Sequence, residues 1–283
     1  MDGVLISHPH QDHYGLLEET PREWPVFCGE ATRRLIQLTS GIFGKPIDRD
    51  FRLWKSGSPF EVGPFRITPH LTDHSAFDAR MLLIEVEGKR ILYSGDFRTH
   101  GRKSALVDRF MAAPPSDIDV LLMEGTNLGT DKPCVRESDL EADFEALFRQ
   151  TKGRVFVSWS AQNIDSTVTL YRACLKTGRT LVVDLYTAEV LETLGEFGKL
   201  PRPDWAGIKI VVTSAMARMY RRKGNGSLGA RTPIAPTEPG RRSRLRFASS
   251  QTQACSVSKP EIGATGGSPG VPRWVGPRNT AFG

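Results

Sequence analysis

The sequence predicts an α/β protein built in two parts, on three observations. Through roughly the first 130 residues, short apolar runs alternate with Gly, Pro and Asp clusters, the pattern of strands joined by turns. From about Glu137, strands alternate with helix-length amphipathic segments, as in βαβ units on a parallel sheet. After Lys223 both rhythms stop. The expected organisation is a strand-rich region at 1–130, an αβ region at 131–222 and a tail at 223–283.

In the first region the expected strands are Gly3 to Ser7, Val26 to Cys28, Phe51 to Trp54, Phe65 to Thr68, Met81 to Val86, Ile91 to Ser94 and Val120 to Met123, with one helix at Glu30 to Leu38. Glu87-Gly88-Lys89 separates two of these strands and reads as a hairpin turn. In the second region Ser138 and Glu141 have the spacing of a capping box. Leu140, Phe144, Leu147 and Phe148 then share one helical face. Strand Arg154 to Ser158, a helix from Asn163 to Gly178, strand Thr180 to Asp184, helix Thr187 to Phe197, strand Ile208 to Val212 and a helix through Thr213 to Lys223 complete a Rossmann-like pattern.

The tail is rich in Gly, Pro, Ser, Thr and Arg with scattered single apolar residues, too few to offset the entropy of ordering them, so disorder is expected. The change falls within a predicted helix, as an out-of-frame or abnormal terminus would produce. The net charge is +6, but from Arg221 onward eleven Lys and Arg face two Glu, leaving residues 1–220 at −3. The body therefore carries no overall basic charge that would mark it as a nucleic-acid binder. Four scattered cysteines, Cys28, Cys134, Cys174 and Cys255, form no CxxC pair and are expected as free thiols. No apolar run near the N-terminus is long enough for a signal core or membrane span, which makes the cytoplasm the expected compartment.

The chemistry lies in His8-Pro9-His10-Gln11-Asp12-His13, where three of the chain's six histidines fall within six residues directly after an apolar strand. A turn at a strand end can converge neighbouring imidazoles and a carboxylate on one point, a ligand set suited to zinc. Crowded neutral imidazoles gain little without such an ion. His74, in Asp73-His74-Ser75, and Asp96, in Ser94-Gly95-Asp96, each follow a later strand. His70 and His100 read as a strand-end and a loop residue, outside the ligand set.

HPHQDH resembles the HxHxDH signature of the metallo-β-lactamase superfamily. That resemblance implies an αββα sandwich, incomplete here because the motif begins at His8 with no strands before the first. It also implies two zinc sites: His8, His10 and His74 at one metal, Asp12 and His13 at the second, and Asp96 bridging them. Asp12 would further orient the attacking water. Beyond Asp96 the chain resembles the β-CASP branch, which includes ribonuclease J and cleavage factors acting on RNA or DNA. Glu124, in Met123-Glu124-Gly125, stands at that branch's strand-end acidic position and is the second catalytic candidate. The αβ region then corresponds to the inserted β-CASP domain.

The resemblance implies metal-dependent hydrolysis of phosphodiester bonds in RNA. The branch also carries histidines after its insertion, whereas this chain has none after His100, so impaired activity is expected. Two alternatives stand beside this: a small-molecule metallohydrolase acting on a thioester, lactone or lactam, and an inactive metal-binding fragment. Ser160 and Asn163 could meet a phosphate at a helix start or merely cap the helix.

Overall fold

The computed structural model describes residues 2–131, 133–223 and 246–249 of the chain. The chain opens with β1 (Val4–Leu5), the one-turn α1 (Gln11–Tyr14), β2 (Val26–Cys28), α2 (Glu30–Phe43) and β3 (Phe51–Leu53). β1, β2 and β3 form a parallel sheet in that order. Next come β4 (Phe60–Val62), β5 (Phe65–Leu71), β6 (Arg80–Val86), β7 (Lys89–Tyr93), α3 (Ser104–Ala112) and β8 (Val120–Leu122). These five strands form a second sheet in sequence order, antiparallel except for the parallel β7–β8 pair. Glu87 and Gly88 both take positive φ, 50° and 74°, the left-handed geometry of the expected tight hairpin turn.

One buried core draws on both sheets, with Ile6, Val26, Phe27 and Trp54 from one side and Val62, Ile67 and Leu82 from the other. The alternation along β5 shows how the layers stack. Ile67 and Pro69 point into this core, and His70, on the opposite face, meets the Phe110 ring of α3 at 5.4 Å. α2 gives Ile36 to the same core while Ala31 and Leu35 face the region that follows. The run at β8 behaves differently from the other strands: Val120, Leu121 and Leu122 are exposed, and among the described residues β8 is the sheet's edge.

From α4 (Glu137–Gln150) onward the order is β9 (Val155–Ser158), α5 (Ile164–Lys176), β10 (Leu181–Asp184), α6 (Leu185–Leu194), β11 (Ile208–Val211) and α7 (Ser214–Lys223). β10 and β11 pair in parallel, as the strand–helix rhythm predicts. Phe144 and Phe148 of α4 pack with Leu170, Tyr171 and Cys174 of α5 over Leu181, Val183 and Ile208. Each large apolar side chain buried there stabilises the fold by roughly 1.5–3 kcal/mol. A third cluster joins Ala31 and Leu35 of α2 to Ile164, Val190 and Leu194, and so seats this region on the first.

Three sequence expectations change. The capping box does not form: Ser138 Oγ donates to Asp139 Oδ1, while Glu141 is buried and pairs with Arg102, Arg172 and Lys176. Three cations outcompete one backbone N–H for that carboxylate. Cys28 and Cys174 are free and buried, but Cys134 is disulfide-bonded. Sequence spacing cannot show such a contact, because tertiary packing brings the thiols together. Within the tail, β12 (Arg246–Ser249) pairs in parallel with β9, whose edge offers unpaired backbone groups to a chain of almost any composition. The rest of the expected disordered tail lies outside the described residues. No helix among the described residues is long and apolar enough to cross a membrane.

Candidate metal centre

The centre is built at the ends of strands. Ile6 N donates to Phe27 O at 2.9 Å, extending the β1–β2 pairing to the edge of the motif, and Arg80 N donates to Ser7 O at 3.1 Å. Held from both sides, the chain delivers His8 fully buried. His10 is extended, with φ −71° and ψ 143°, and starts α1, whose single turn carries Asp12 and His13. The loop between β5 and β6 is closed by Thr72 N donating to Ala79 O at 3.0 Å and presents His74. After β7, Gly95 takes φ +54° and turns the chain so that Asp96 faces the histidines. A Cβ on Gly95 would lie 2.8 Å from Arg80 O, so only glycine fits this turn.

Four imidazoles and one carboxylate meet there. Ring centroids of His8 lie 4.8 Å from His10, 3.9 Å from His13 and 4.7 Å from His74, and His10 lies 5.0 Å from His74. Asp96 Oδ1 is 3.4 Å from His13 Nε2, and its Oδ2 is 3.9 Å from both His8 Nε2 and His74 Nε2. Two ligand groups result, His8–His10–His74 and His8–His13–Asp96, each with all donor atoms within 4.8 Å of one another. Tetrahedral zinc with Zn–N bonds near 2.0–2.1 Å places its ligand atoms roughly 3.4 Å apart. The 3.2 Å between His74 Nε2 and His10 Nδ1 is of that size.

The electrostatics fit a cation. Burial, followed by the neighbouring His74, His10 and His13, holds His8 far below the usual imidazole range. Burial and then His10 push His74 down to about 3. Burial lowers His10 too, against the opposing pull of Asp12 and Asp96. These rings are thus neutral ligands at neutral pH. His13 moves the other way, raised by its hydrogen bond to Asp96, which in turn lowers the Asp96 carboxyl. His8 Nε2 is buried with no hydrogen-bond partner, an arrangement that costs free energy unless an electrophile sits opposite it. Its other nitrogen lies 3.1 Å from Ser7 Oγ, which orients the ring as outer hydrogen bonds do around metal ligands.

The predicted site residues fall in three places. His8, His10, His13, His74 and Asp96 converge as described. Asp12 stands on the solvent side, 73% exposed, with Oδ2 3.7 Å from His13 Nε2, and belongs to neither tight group. Glu124 follows β8, where its Oε1 accepts from Phe97 N at 2.8 Å and its own N–H donates to Ser94 Oγ at 3.2 Å. It thereby braces the backbone on both sides of Asp96. Burial raises its pKa, and with Tyr93, Asp96 and Met123 it lines a cavity of about 230 Å³. His70 and His100 lie outside the two groups, as read from the sequence. Asn163 caps α5 by accepting from Ser166 N, and Ser160 O accepts from Asn163 N.

Two residues beside the ligands escaped sequence reading. Asp73, next to His74, and Arg98, two residues after Asp96, are both buried and pair with each other. Gly101 was the available signal, since a Cβ there would lie 2.3 Å from Asp73 Oδ1 and 2.5 Å from Arg98 Nε.

Comparison with known proteins bears on the family and the fold. The family model described as "Beta-lactamase superfamily domain" matches residues 1–156, more than half of the chain. Among curated proteins the chain is 26% identical over 196 residues to ribonuclease J of Helicobacter pylori, covering 64% of this chain and 27% of that protein. It is 21% identical over 192 residues to ribonuclease J of Sinorhizobium meliloti, covering 65% and 34%. The chain thus spans about a quarter to a third of the length of these relatives. A solved protein of unknown function from Enterococcus faecalis V583 shares the fold with TM-score 0.61 at 19% identity, over 76% of this chain and 56% of that one. With its α/β architecture, its histidine cluster and this family match, the chain belongs to the metallo-β-lactamase superfamily, and over about two thirds of its length it is similar to part of ribonuclease J.

Proposed function

We propose that this chain is a metal-dependent hydrolase acting on phosphodiester bonds of RNA, with zinc as its metal. The observation that carries the reading is the convergence of His8, His10, His13, His74 and Asp96, with the buried Nε2 of His8 left unanswered by protein. His8, His10 and His74 would hold one ion, and His13 and Asp96 would contribute to a second. Divalent cations held there would supply positive charge for a developing oxyanion and acidify water. Asp12, exposed at the rim 3.7 Å from His13 Nε2, would orient the attacking water. Glu124 keeps Asp96 aimed through the Phe97 N–H. The choice of RNA is supported by the ribonuclease J relatives.

Residues 1–130 are read as the metallo-β-lactamase domain and 131–222 as the β-CASP-type domain, seated on α2 of the first through Ile164, Val190 and Leu194. The same reading puts the protein in the cytoplasm and gives the chain by itself reduced turnover. His70 and His100, the remaining imidazoles, lie outside both ligand groups, so with His8 given to the first ion the groups found among the described residues leave His13 and Asp96 for the second.

The test is elemental analysis of purified protein together with turnover of a labelled single-stranded RNA and of a thioester and a lactone. Bound zinc with slow RNA cleavage, lost in Asp12→Ala, supports the reading. Zinc with thioester or lactone hydrolysis and no RNA cleavage replaces it with the small-molecule enzyme. Absence of metal binding removes it altogether.

A further inference from the structure

We infer that Arg98 is a positioning residue, tying the loops that carry His74 and Asp96 to each other and to α4 and α5, so that metal geometry depends on how the αβ region is seated. The inference rests on reading the histidine cluster as a metal site.

Arg98 is buried and reaches three carboxylates. Its Nε lies 3.6 Å from Asp73 Oδ1, its Nη1 donates to Glu137 Oε1 at 3.5 Å and its Nη2 donates to Asp165 Oδ2. Asp73 belongs to the His74 loop, Glu137 opens α4 and Asp165 lies in the first turn of α5. Backbone bonds reinforce the Asp73 and Asp165 arms. Arg98 N donates to Asp73 O at 2.8 Å, Gly101 N donates to Asp73 Oδ2 at 2.7 Å and Arg102 N donates to Asp165 Oδ2 at 2.9 Å.

The other flank of His74 is anchored to the same helix, since Ile164 N donates to Ser75 O at 3.2 Å. His74 is therefore bracketed by two residues that both lead to the start of α5. Glu137 is held further by Thr169 Oγ1, donating at 2.6 Å, and Thr169 receives a bond from Arg102 Nη2 at 2.8 Å.

A guanidinium suits this place because its planar fork serves several carboxylates in fixed directions, which an ammonium cannot do. The contact also leaves no slack, because Gly101 approaches so closely that any side chain there would overlap Asp73 and Arg98. Small displacements of the Asp73–Arg98 pair must then move His74 and Asp96, one and two residues away. Groups that orient metal ligands from outside typically change metal affinity about 10–100-fold when removed.

The experiment titrates the full chain, wild type and variants, with Co(II) and records visible absorption, dissociation constant and thermal unfolding. The variants are Arg98→Met, Arg98→Lys and Asp165→Asn, with Phe148→Ala, in the distant α4 core, as a control for plain destabilisation. Wild type without a Co(II) spectrum overturns the metal reading itself. Given a wild-type spectrum, the inference expects Arg98→Met to bind roughly 10–100-fold more weakly with altered absorption bands, and Arg98→Lys to recover part of both. Asp165→Asn is expected to shift the bands in the same sense and decides the matter where Arg98→Met does not fold. Wild-type affinity and bands in folded Arg98→Met or Asp165→Asn overturn the inference. So does an equal spectral change in Phe148→Ala.

Discussion

Two buried polar clusters lie side by side in this molecule and are built on opposite terms. Around His8, four imidazoles crowd together, three of them held neutral, and a buried nitrogen has no protein partner. Around Arg98, a guanidinium, three carboxylates, a threonine hydroxyl and several backbone N–H groups answer one another. Both clusters cost desolvation free energy. The second offsets most of it by pairing opposite charges, although Asp73 Oδ1 and Arg98 Nε, 3.6 Å apart, make no hydrogen bond, whereas the first gathers like groups that offset one another only around a cation. Convergence of several neutral ligand nitrogens with a carboxylate thus marks the functional cluster more clearly than burial or a single unanswered atom does.

The contrast can be broken most strongly at His8, which both ligand groups share. His8→Ala should weaken zinc binding more than 100-fold by competition with a chelating dye, while apo-protein stability changes by only about 1 kcal/mol. A large fall in apo stability would show His8 to be a structural residue instead. At the other cluster, Arg98→Met should lower the unfolding free energy of the metal-free protein by about 3–5 kcal/mol in urea, because three carboxylates lose their shared counter-charge. Unchanged stability would mean that the network is slack.

Acidification should also separate the clusters. The folded-state pKa of His74 is depressed to about 3, below its unfolded value near 6.5, so the unfolded chain takes up the proton first. Above pH 6.5 this group gives stability no pH dependence. Below it, His74 alone should cost the metal-free protein at most about 1 kcal/mol per pH unit until roughly pH 3, and His8 and His10, lowered likewise, steepen the loss. Thermal unfolding from pH 7.5 to 4 measures this, and a flat profile would show that the rings are not buried neutral. The smallest expected effect lies away from both clusters. Asn163→Ala removes the α5 cap and should cost about 1 kcal/mol in urea, with zinc affinity unchanged.

Much of this was legible in the primary structure because it depends on local pattern. The short apolar runs between Gly, Pro and Asp clusters, and the i, i+4 spacing of Leu140, Phe144 and Phe148, carry the strands and helices, since backbone geometry ties each pattern to one element, although the strand expected at Phe65 to Thr68 extends to Leu71. The histidine spacing was legible for a similar reason, as three imidazoles within six residues have few arrangements that keep them apart. What escaped was non-local. Glu141 stood at capping-box spacing, but Arg102, Arg172 and Lys176 from two other segments took its carboxylate. The apolar run at Val120 to Leu122 formed its strand yet stayed exposed.

By itself, then, the sequence determined the α/β class, the order of most elements, with β4 and the helix α3 missed, and the residue types of a metal centre, because these follow from periodicity and side-chain chemistry. Only the tertiary structure decided that His8 serves both ligand groups, that Asp12 stands at the rim and that Asp73, Arg98 and Asp165 meet. Asp73 and Asp165 are 92 positions apart in the chain. No local propensity acts over that separation, and only packing the αβ region onto the first sheets brings them to one guanidinium.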